Sequence, residues 1–229
     1  MPRSEIPVPA AAAPEPPRPA GVGRVIFSEA CLAEGADWLA RREPRFAEAL
    51  ALTGPLPLRL REDGFEALLD AIVSQQVSVA AGDAIWAKLA KAGLTDPLRL
   101  VAATDEELRA CGLSRQKARY ARGLAAAELD FEGLRVLSSD EVVTRLIVLP
   151  GIGRWTAEIY AMFSLGRADV FAPGDLALQE AARILFGLEA RPSEKALRAM
   201  AEDWSPWRGV AARLLWAYYK VAKSREGIR

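Results

Sequence analysis

From residue 24 onward, apolar side chains recur every three or four positions, and runs that alternate apolar with polar residues are missing. The first spacing places apolar side chains on one face of an α-helix, whereas a half-buried strand needs a period of two. The chain therefore predicts an all-α fold, a compact bundle of short helices joined by short turns. Helices are predicted at residues 28–41, 44–52, 64–78, 80–92, 96–102, 104–111, 114–127, 139–146, 153–165, 175–185, 193–204 and 207–223.

Capping signals support several of these boundaries. Thr104 and Glu107 have the spacing of a capping box, Ser139 is followed by acidic residues, and Ser193 is followed by Glu194. A side-chain oxygen at such a position accepts a hydrogen bond from a free N–H group of the first turn. The three sites are predicted helix starts.

Residues 1–23 differ from the rest, because Pro and Ala dominate positions 7–20 and no apolar period can be traced. Five prolines between positions 7 and 17 interrupt the only apolar stretch that could begin a secretory signal. We predict a disordered arm over residues 1–23 and a folded core over residues 24–229, for which a hydrophobic content of 51% is sufficient.

Residue counts exclude several kinds of chemistry. The chain has no histidine, so catalytic triads and zinc hydrolase sites lose their usual base and ligand. Its two cysteines are too few for a disulfide framework, a four-thiolate zinc site or an iron-sulfur cluster. No run of apolar residues is long enough for a membrane span. We expect a cytoplasmic protein whose chemistry depends on carboxylates.

The charge balance leaves the partner open. The formal net charge is zero, which taken alone argues against a nucleic-acid partner. Residues 191–229, however, carry nine basic and four acidic side chains. Such an excess is typical of a solvated helix face as well as of a surface that contacts phosphates.

A tight turn is predicted at residues 149–153, where Pro150 ends one helix and Gly151 and Gly153 precede the next. Glycines let a phosphate approach the free N–H groups of a helix N-terminus closely, and Arg154 adds a positive charge. A plain turn between two helices of a bundle has the same sequence pattern. The motif alone does not separate the two interpretations.

Two consecutive motifs of the chain resemble those of a known protein family. LPGIGRWTA at residues 149–157 and VFAPGDLAL at residues 170–178 resemble the hairpin and the following Gly/Pro-rich loop of helix-hairpin-helix DNA glycosylases, most closely the DNA-3-methyladenine glycosylase II branch. The resemblance extends to residues 71–78, 111–118 and 204–208. It implies excision of alkylated purines from double-stranded DNA by a monomer.

The same resemblance implies the architecture. Two helical lobes would enclose a cleft, with lobe one formed by residues about 24–78 plus 187–229 and lobe two by residues about 79–186. The N-terminal β-rich domain of larger relatives is not expected. No cofactor is expected to be required and no iron-sulfur cluster is expected. A sodium or potassium ion at the backbone carbonyls of Ile147, Leu149 and Ile152 is implied by the family.

Asp175 is the predicted catalytic carboxylate. Its position before an apolar run makes it a helix N-cap, and a cap alone is one interpretation. A helix N-terminus also favours the ionised carboxylate, which stabilises the cationic sugar formed when the glycosidic bond breaks and can orient water. Relatives that also cut the backbone have a lysine two residues after the second hairpin glycine, where this chain has Trp155. The resemblance therefore implies hydrolysis without lyase activity.

The substrate pocket is assigned to aromatic side chains, because a cationic alkylated base stacks favourably on their faces. Trp155, Tyr160 and Trp207 are the predicted pocket residues, with Trp216 as a further candidate. Aromatic residues at helical spacing are also typical of a core.

The DNA-binding prediction covers the hairpin and one position upstream. Gly151, Ile152, Gly153, Arg154 and Thr156 are the predicted contacts at the hairpin. The resemblance also places Gln76 where a side chain fills the gap left by an extruded nucleotide. A buried, hydrogen-bonded glutamine is the alternative at position 76.

Two other functions remain open at this point. A non-catalytic module could use the hairpin only to bind DNA, although such a module has no need for Asp175. A glycosylase for mismatched or oxidised bases would act on neutral bases and would need more hydrogen bonds in its pocket.

Overall fold

The computed structural model describes residues 21–225, and this part of the chain is helical. The only β pairing in it is an isolated antiparallel bridge between Val25 and Arg167. The all-α prediction is confirmed. The helices are α1 Glu29–Arg42, α2 Pro44–Thr53, α3 Phe65–Val73, α4 Val79–Ala92, α5 Pro97–Ala102, α6 Asp105–Ala110, α7 Arg115–Ala126, α8 Phe131–Val136, α9 Ser139–Leu146, α10 Arg154–Phe163, α11 Leu176–Phe186, α12 Glu194–Ala201 and α13 Arg208–Arg225.

The predicted caps at Thr104 and Ser193 are confirmed. The cap of α9 is Ser138 and not Ser139, because Ser138 precedes Glu141 by the three residues that let each side chain reach the other's backbone N–H. Helix α8 was not predicted, although Asp130 caps it through a hydrogen bond from the Gly133 N–H group.

The helices form two lobes around a continuous core. Helices α1, α2, α11, α12 and α13 pack together in the first lobe. In the second lobe, α3 packs on α4, α7 and α10, α5 and α6 pack on α7, and α9 packs on α10. Helices α3 and α11 therefore lie in the opposite lobes from those predicted, because each buries its apolar face against helices that are distant in sequence.

Arg167 joins the N-terminal segment to the second lobe. Its side chain is 1% exposed, and its Nη1 donates to the Val22 carbonyl at 2.9 Å. Its Nη2 donates to the carbonyls at the end of α8, namely Leu134, Arg135 and Leu137, at 2.9 to 3.1 Å. Burial lowers the pKa of this guanidinium.

The predicted arm is only partly covered by the described residues. Residues 1–20 lie outside them, whereas Val22 is buried and its carbonyl is bound to Arg167. Ile26 N–H also donates to the Gly166 carbonyl at 2.6 Å. The packed core therefore begins before residue 24, where the folded core was predicted to start.

Arg167→Met tests this connection. The substitution removes the Arg167 donors to four carbonyls, and we expect the free energy of unfolding in urea to fall by at least about 3 kcal/mol. Arg41→Met, at an exposed position in the last turn of α1, should change it by less than about 0.5 kcal/mol. Equal stability of the two variants would contradict the role of Arg167.

Candidate active site and nucleic-acid interface

The predicted hairpin connects α9 to α10. Leu149 N–H donates to the Leu146 carbonyl and Ile152 N–H to the Leu149 carbonyl, each at 3.1 Å. Gly153 then caps α10 without any side-chain hydrogen bond. A Cβ atom at Gly153 would meet nothing within 4 Å. The first N–H groups of α10 therefore have no side-chain cap that would compete with an anion, and the phosphate contact stays a prediction.

The other predicted hairpin contacts are more restricted. A Cβ atom at Gly151 would lie 2.5 to 2.9 Å from the Tyr120 side chain, and φ there is 85°, so this glycine allows packing against α7 instead of opening the backbone to a phosphate. The side chains of Ile152 and Thr156 are buried, so the predicted DNA contacts at these two positions can involve only their backbone groups, and those contacts stay a prediction. Arg154 is exposed and lies 3.9 Å from the buried Glu158.

Asp175 caps α11 and is held by four N–H donors. Its Oδ1 accepts from the backbone N–H groups of Ala177 and Leu178 at 2.9 and 3.0 Å. The indole Nε1 of Trp216 donates to Oδ1 at 3.2 Å, and that of Trp155 donates to Oδ2 at 3.0 Å. All four donors hold the carboxylate in one orientation, so the helix cap and a fixed charged group are combined in one residue.

Trp155 lies between Asp175 and a cleft with a volume of about 1010 Å³. The indole is 47% exposed, so one face is accessible to a ligand. The cleft is formed by α3, the α3–α4 turn, the first part of α4, and α10. Its aromatic lining consists of Phe65, Trp86, Trp155 and Tyr160.

The structure confirms the cleft position of Tyr160 and adds Trp86. Gly64 N–H donates to the Tyr160 hydroxyl at 3.0 Å, and burial raises the pKa of Tyr160 to about 12. This phenol therefore stays protonated near neutral pH. Trp86 was missed because its spacing on α4 does not distinguish it from a core residue.

The wall of the cleft is strongly acidic. Asp63 forms a bidentate pair with Arg135 at 2.7 Å. Arg61 is the one basic residue that lines the cleft. The acidic lining residues are Glu62, Asp63, Glu66, Asp70, Asp83 and Asp96. The cleft consequently favours positive charge and disfavours phosphate.

Trp207 is not a pocket residue. It is 3% exposed and packs against Gly35 of α1, where a Cβ atom would lie 2.7 Å from the indole ring. The guanidinium of Arg24 lies 4.9 Å from the centroid of the ring. The structure places Trp216, the weaker sequence candidate, in contact with Asp175 instead.

Gln76 lies in a turn, because α3 ends at Val73 and not at the predicted residue 78. Its side chain is exposed and its φ is 54°, so a buried glutamine at this position is ruled out. Gln75 Nε2 donates to the Gly151 carbonyl at 2.8 Å, which ties this turn to the hairpin. Lys117 Nζ donates to the Val73 carbonyl at 2.6 Å and fixes the start of the turn.

Side chains offer no metal site in residues 21–225, where no group of three His, Cys, Asp or Glu residues could hold an ion. Backbone oxygens remain available at the hairpin. The Leu149 carbonyl accepts one hydrogen bond, and the carbonyls of Ile147 and Ile152 accept none from the described backbone. Free carbonyl oxygens suit a hard monovalent cation.

The part of the chain that carries this site matches a known protein family. The family model of the "HhH-GPD superfamily base excision DNA repair protein" matches residues 69–206. DNA-3-methyladenine glycosylase 1 of Schizosaccharomyces pombe is 30% identical over 178 residues, 74% of this chain and 78% of that protein. DNA-3-methyladenine glycosylase 2 of Escherichia coli is 32% identical over 168 residues, 67% of this chain and 57% of that protein.

Two solved structures are similar over most of the chain. The DNA-3-methyladenine glycosidase of Bacillus halodurans superposes with a TM-score of 0.76 at 30% identity, covering 88% of this chain and 94% of that one. The 3-methyladenine DNA glycosylase of Schizosaccharomyces pombe, in complex with abasic DNA, superposes with a TM-score of 0.69 at 29% identity, covering 80% and 95%.

The two hairpin glycines should respond differently to alanine. Gly151→Ala introduces strain at positive φ and a clash with Tyr120, so we expect the free energy of unfolding to fall by about 2 to 4 kcal/mol. Gly153→Ala meets open space and should cost about 1 kcal/mol or less. Urea denaturation of both variants measures the difference. A Gly151→Ala protein as stable as the wild type would refute this packing role.

Proposed function

The chain belongs to the HhH-GPD superfamily of base excision DNA repair proteins, and we propose that it is a monofunctional DNA glycosylase that hydrolyses the N-glycosidic bond of alkylated purines in double-stranded DNA. The observation that carries the proposal is the Asp175 carboxylate. It is fixed by two backbone and two indole N–H groups beside an aromatic, acidic cleft. The named relatives that act on 3-methyladenine support the same substrate class.

The steps follow from the placement of these groups. The open N-terminus of α10 binds a phosphate, with Arg154 beside it. The damaged nucleotide is extruded from the duplex, and Gln76 enters the space that it leaves. The base enters the cleft against Trp155. As the glycosidic bond breaks, the ionised Asp175 stabilises the positive charge on the sugar and orients the attacking water. The products are the free base and an abasic site.

The cleft suits a cationic base. An alkylated purine of the 3-methyladenine or 7-methylguanine type is positively charged, and its base leaves without a strong general acid. Stacking of such a base on an aromatic face contributes about 1 to 2 kcal/mol in a site shielded from water. Carboxylates that line the cleft, such as Glu66 and Asp70, add attraction that a neutral base does not experience.

The absence of lyase activity is part of the proposal. An enzyme that cuts the backbone forms a Schiff base through a lysine amine. The indole at position 155 has no nucleophilic amine, and its N–H is bound to Asp175. Water is therefore the proposed nucleophile.

A sodium or potassium ion fits the carbonyls of Ile147, Leu149 and Ile152. Bound there, the ion would neutralise carbonyl dipoles and hold the hairpin in shape next to a phosphate. No cofactor is needed for the chemistry. None of the described helices combines the length and hydrophobicity of a membrane span. We propose that the protein acts as a monomer on chromosomal DNA in the cytoplasm.

Asp175→Asn tests the mechanism. Asparagine caps a helix as well as aspartate does, so the fold is retained while the negative charge is lost. We expect the release of free base from methylated duplex DNA to fall by at least about 10²-fold. Release equal to that of the wild type would disprove the assigned role. Binding of duplex DNA by a wild type that releases no base would favour the non-catalytic module.

Asp70→Asn tests the selection of charged bases. We compare kcat/KM for duplexes that contain 7-methylguanine or the neutral base hypoxanthine. Loss of one cleft carboxylate should lower the preference for the charged base by about fivefold, which corresponds to the loss of about 1 kcal/mol of Coulomb attraction. Glu106→Gln, on the exposed surface of α6, is the control and should leave the ratio unchanged. A ratio unaffected by Asp70→Asn, or faster release of hypoxanthine by the wild type, would contradict charge selection.

A further inference from the structure

The turn between α6 and α7 repeats the hairpin between α9 and α10. Gly112 has φ of 100° and Gly151 has φ of 85°. The next residue is a buried aliphatic side chain in both, Leu113 in one and Ile152 in the other. The following residue is the N-cap of the second helix, and an arginine, Arg115 or Arg154, then opens it.

The similarity extends along both flanking helices. The first helix of each pair begins with a capping box, Thr104 with Glu107 in α6 and Ser138 with Glu141 in α9. In the second helix, the fourth residue is a buried alanine in both cases, Ala118 and Ala157. The chain thus contains two copies of a capped helix, a glycine turn and a helix opened by arginine.

The two copies differ in how they can attract an anion. Gly153 leaves the N–H groups of α10 open, whereas the Ser114 side chain accepts the N–H of Lys117 and closes part of the α7 terminus. The second copy, α6 and α7, has positively charged side chains that can attract an anion in place of open N–H groups. Helix α7 carries four basic residues and no acidic one, in a chain of zero net charge.

The four basic residues of α7 have different surroundings. Arg122 is paired with Asp105, and Lys117 is bound to the Val73 carbonyl, where burial lowers its pKa. Arg115 and Arg119 are exposed and form no ion pair within residues 21–225. A separation of four residues places them on the same side of the helix.

Gly123 lies four residues after Arg119 on this side of α7, and its approach to Pro150 places the side next to the first hairpin. Tyr120 packs against Gly151, and a Cβ atom at Gly123 would lie 3.4 Å from Pro150. Lys117 reaches the start of the turn that carries Gln76. The two arginines therefore extend the surface that contains the hairpin and the Gln76 turn.

We propose that α6 and α7 form a second DNA-binding hairpin, in which Arg115 and Arg119 each contact a backbone phosphate. The proposal rests on the proposed function, because it assigns a second contact to the same DNA. The first hairpin binds through open backbone N–H groups and the second through side-chain charge. Two contact regions fix the orientation of the duplex, which a single phosphate contact leaves free to rotate.

The salt dependence of DNA binding tests the proposal. We measure the dissociation constant of the full-length protein for an undamaged duplex from about 50 to 200 mM salt. Each lost phosphate contact should reduce the slope of log K against log salt concentration by about 0.9. Arg115→Gln and Arg119→Gln should each show this reduction, and the double variant should lose about 1.8. Arg41→Gln, which removes the same charge from the end of α1, is the control and should keep the wild-type slope.

The outcomes separate the two proposals. Reduced slopes for both α7 variants and an unchanged slope for Arg41→Gln would support the second hairpin. Unchanged slopes for the α7 variants, with salt-dependent binding by the wild type, would overturn it and leave the glycosylase proposal intact. Equal reductions in all three would show a general effect of net charge and would also overturn it. A wild type that binds no duplex would refute the proposed function itself.

Discussion

The site depends on an ionised carboxylate that four N–H groups hold at the start of α11. The backbone N–H groups come from α11 itself, the indole of Trp155 from α10 and the indole of Trp216 from α13. Helix α10 belongs to one lobe, whereas α11 and α13 belong to the other. The complete set of donors therefore exists only when the two lobes are docked, and the position of the proposed catalytic group is a property of the whole fold.

Two buried arginines connect parts of this fold that are distant in sequence. Arg167 binds the N-terminal segment to the end of α8, and Arg213 of α13 donates to the Met162 carbonyl near the end of α10 at 3.0 Å. Burial, with a smaller contribution from the charge of Arg59, lowers the pKa of Arg213 to about 10, and its guanidinium lies 4.5 Å from the Phe163 ring centroid. Both guanidiniums are bound by carbonyls instead of carboxylates. Each guanidinium donates hydrogen bonds to backbone carbonyls that would otherwise be buried without a donor. The two arginines therefore stabilise the fold by pairing buried carbonyl groups and not by forming ion pairs.

The features that could be predicted from the sequence are those that depend on neighbouring residues, namely helices and their caps. Helical periodicity located all helices except α8, and the position of Asp175 before an apolar run predicted its cap. Long-range packing was not predictable in the same way. Trp207 and Trp216 both lie in the C-terminal region and look alike in the sequence. Only their long-range contacts distinguish them, because Trp207 packs against Gly35 in the core and Trp216 donates to Asp175 at the site. The early end of α3 was missed for a similar reason, because contacts from Lys117 and Gln75 to distant residues fix that turn.

The distribution of charge explains how a chain of zero net charge and without histidine can serve the proposed reaction. Carboxylates line the cleft, so a phosphate of the backbone is repelled from it and the duplex must be held outside, at the hairpin. Only an extruded nucleotide can bring its base to the cleft. A cationic base is then attracted by the same charges that exclude phosphate, and it leaves without the general acid that histidine would supply. Asp175 differs from these carboxylates in its N–H donors, which hold it at the start of α11, and the proposed mechanism assigns its charge to the sugar and theirs to the base.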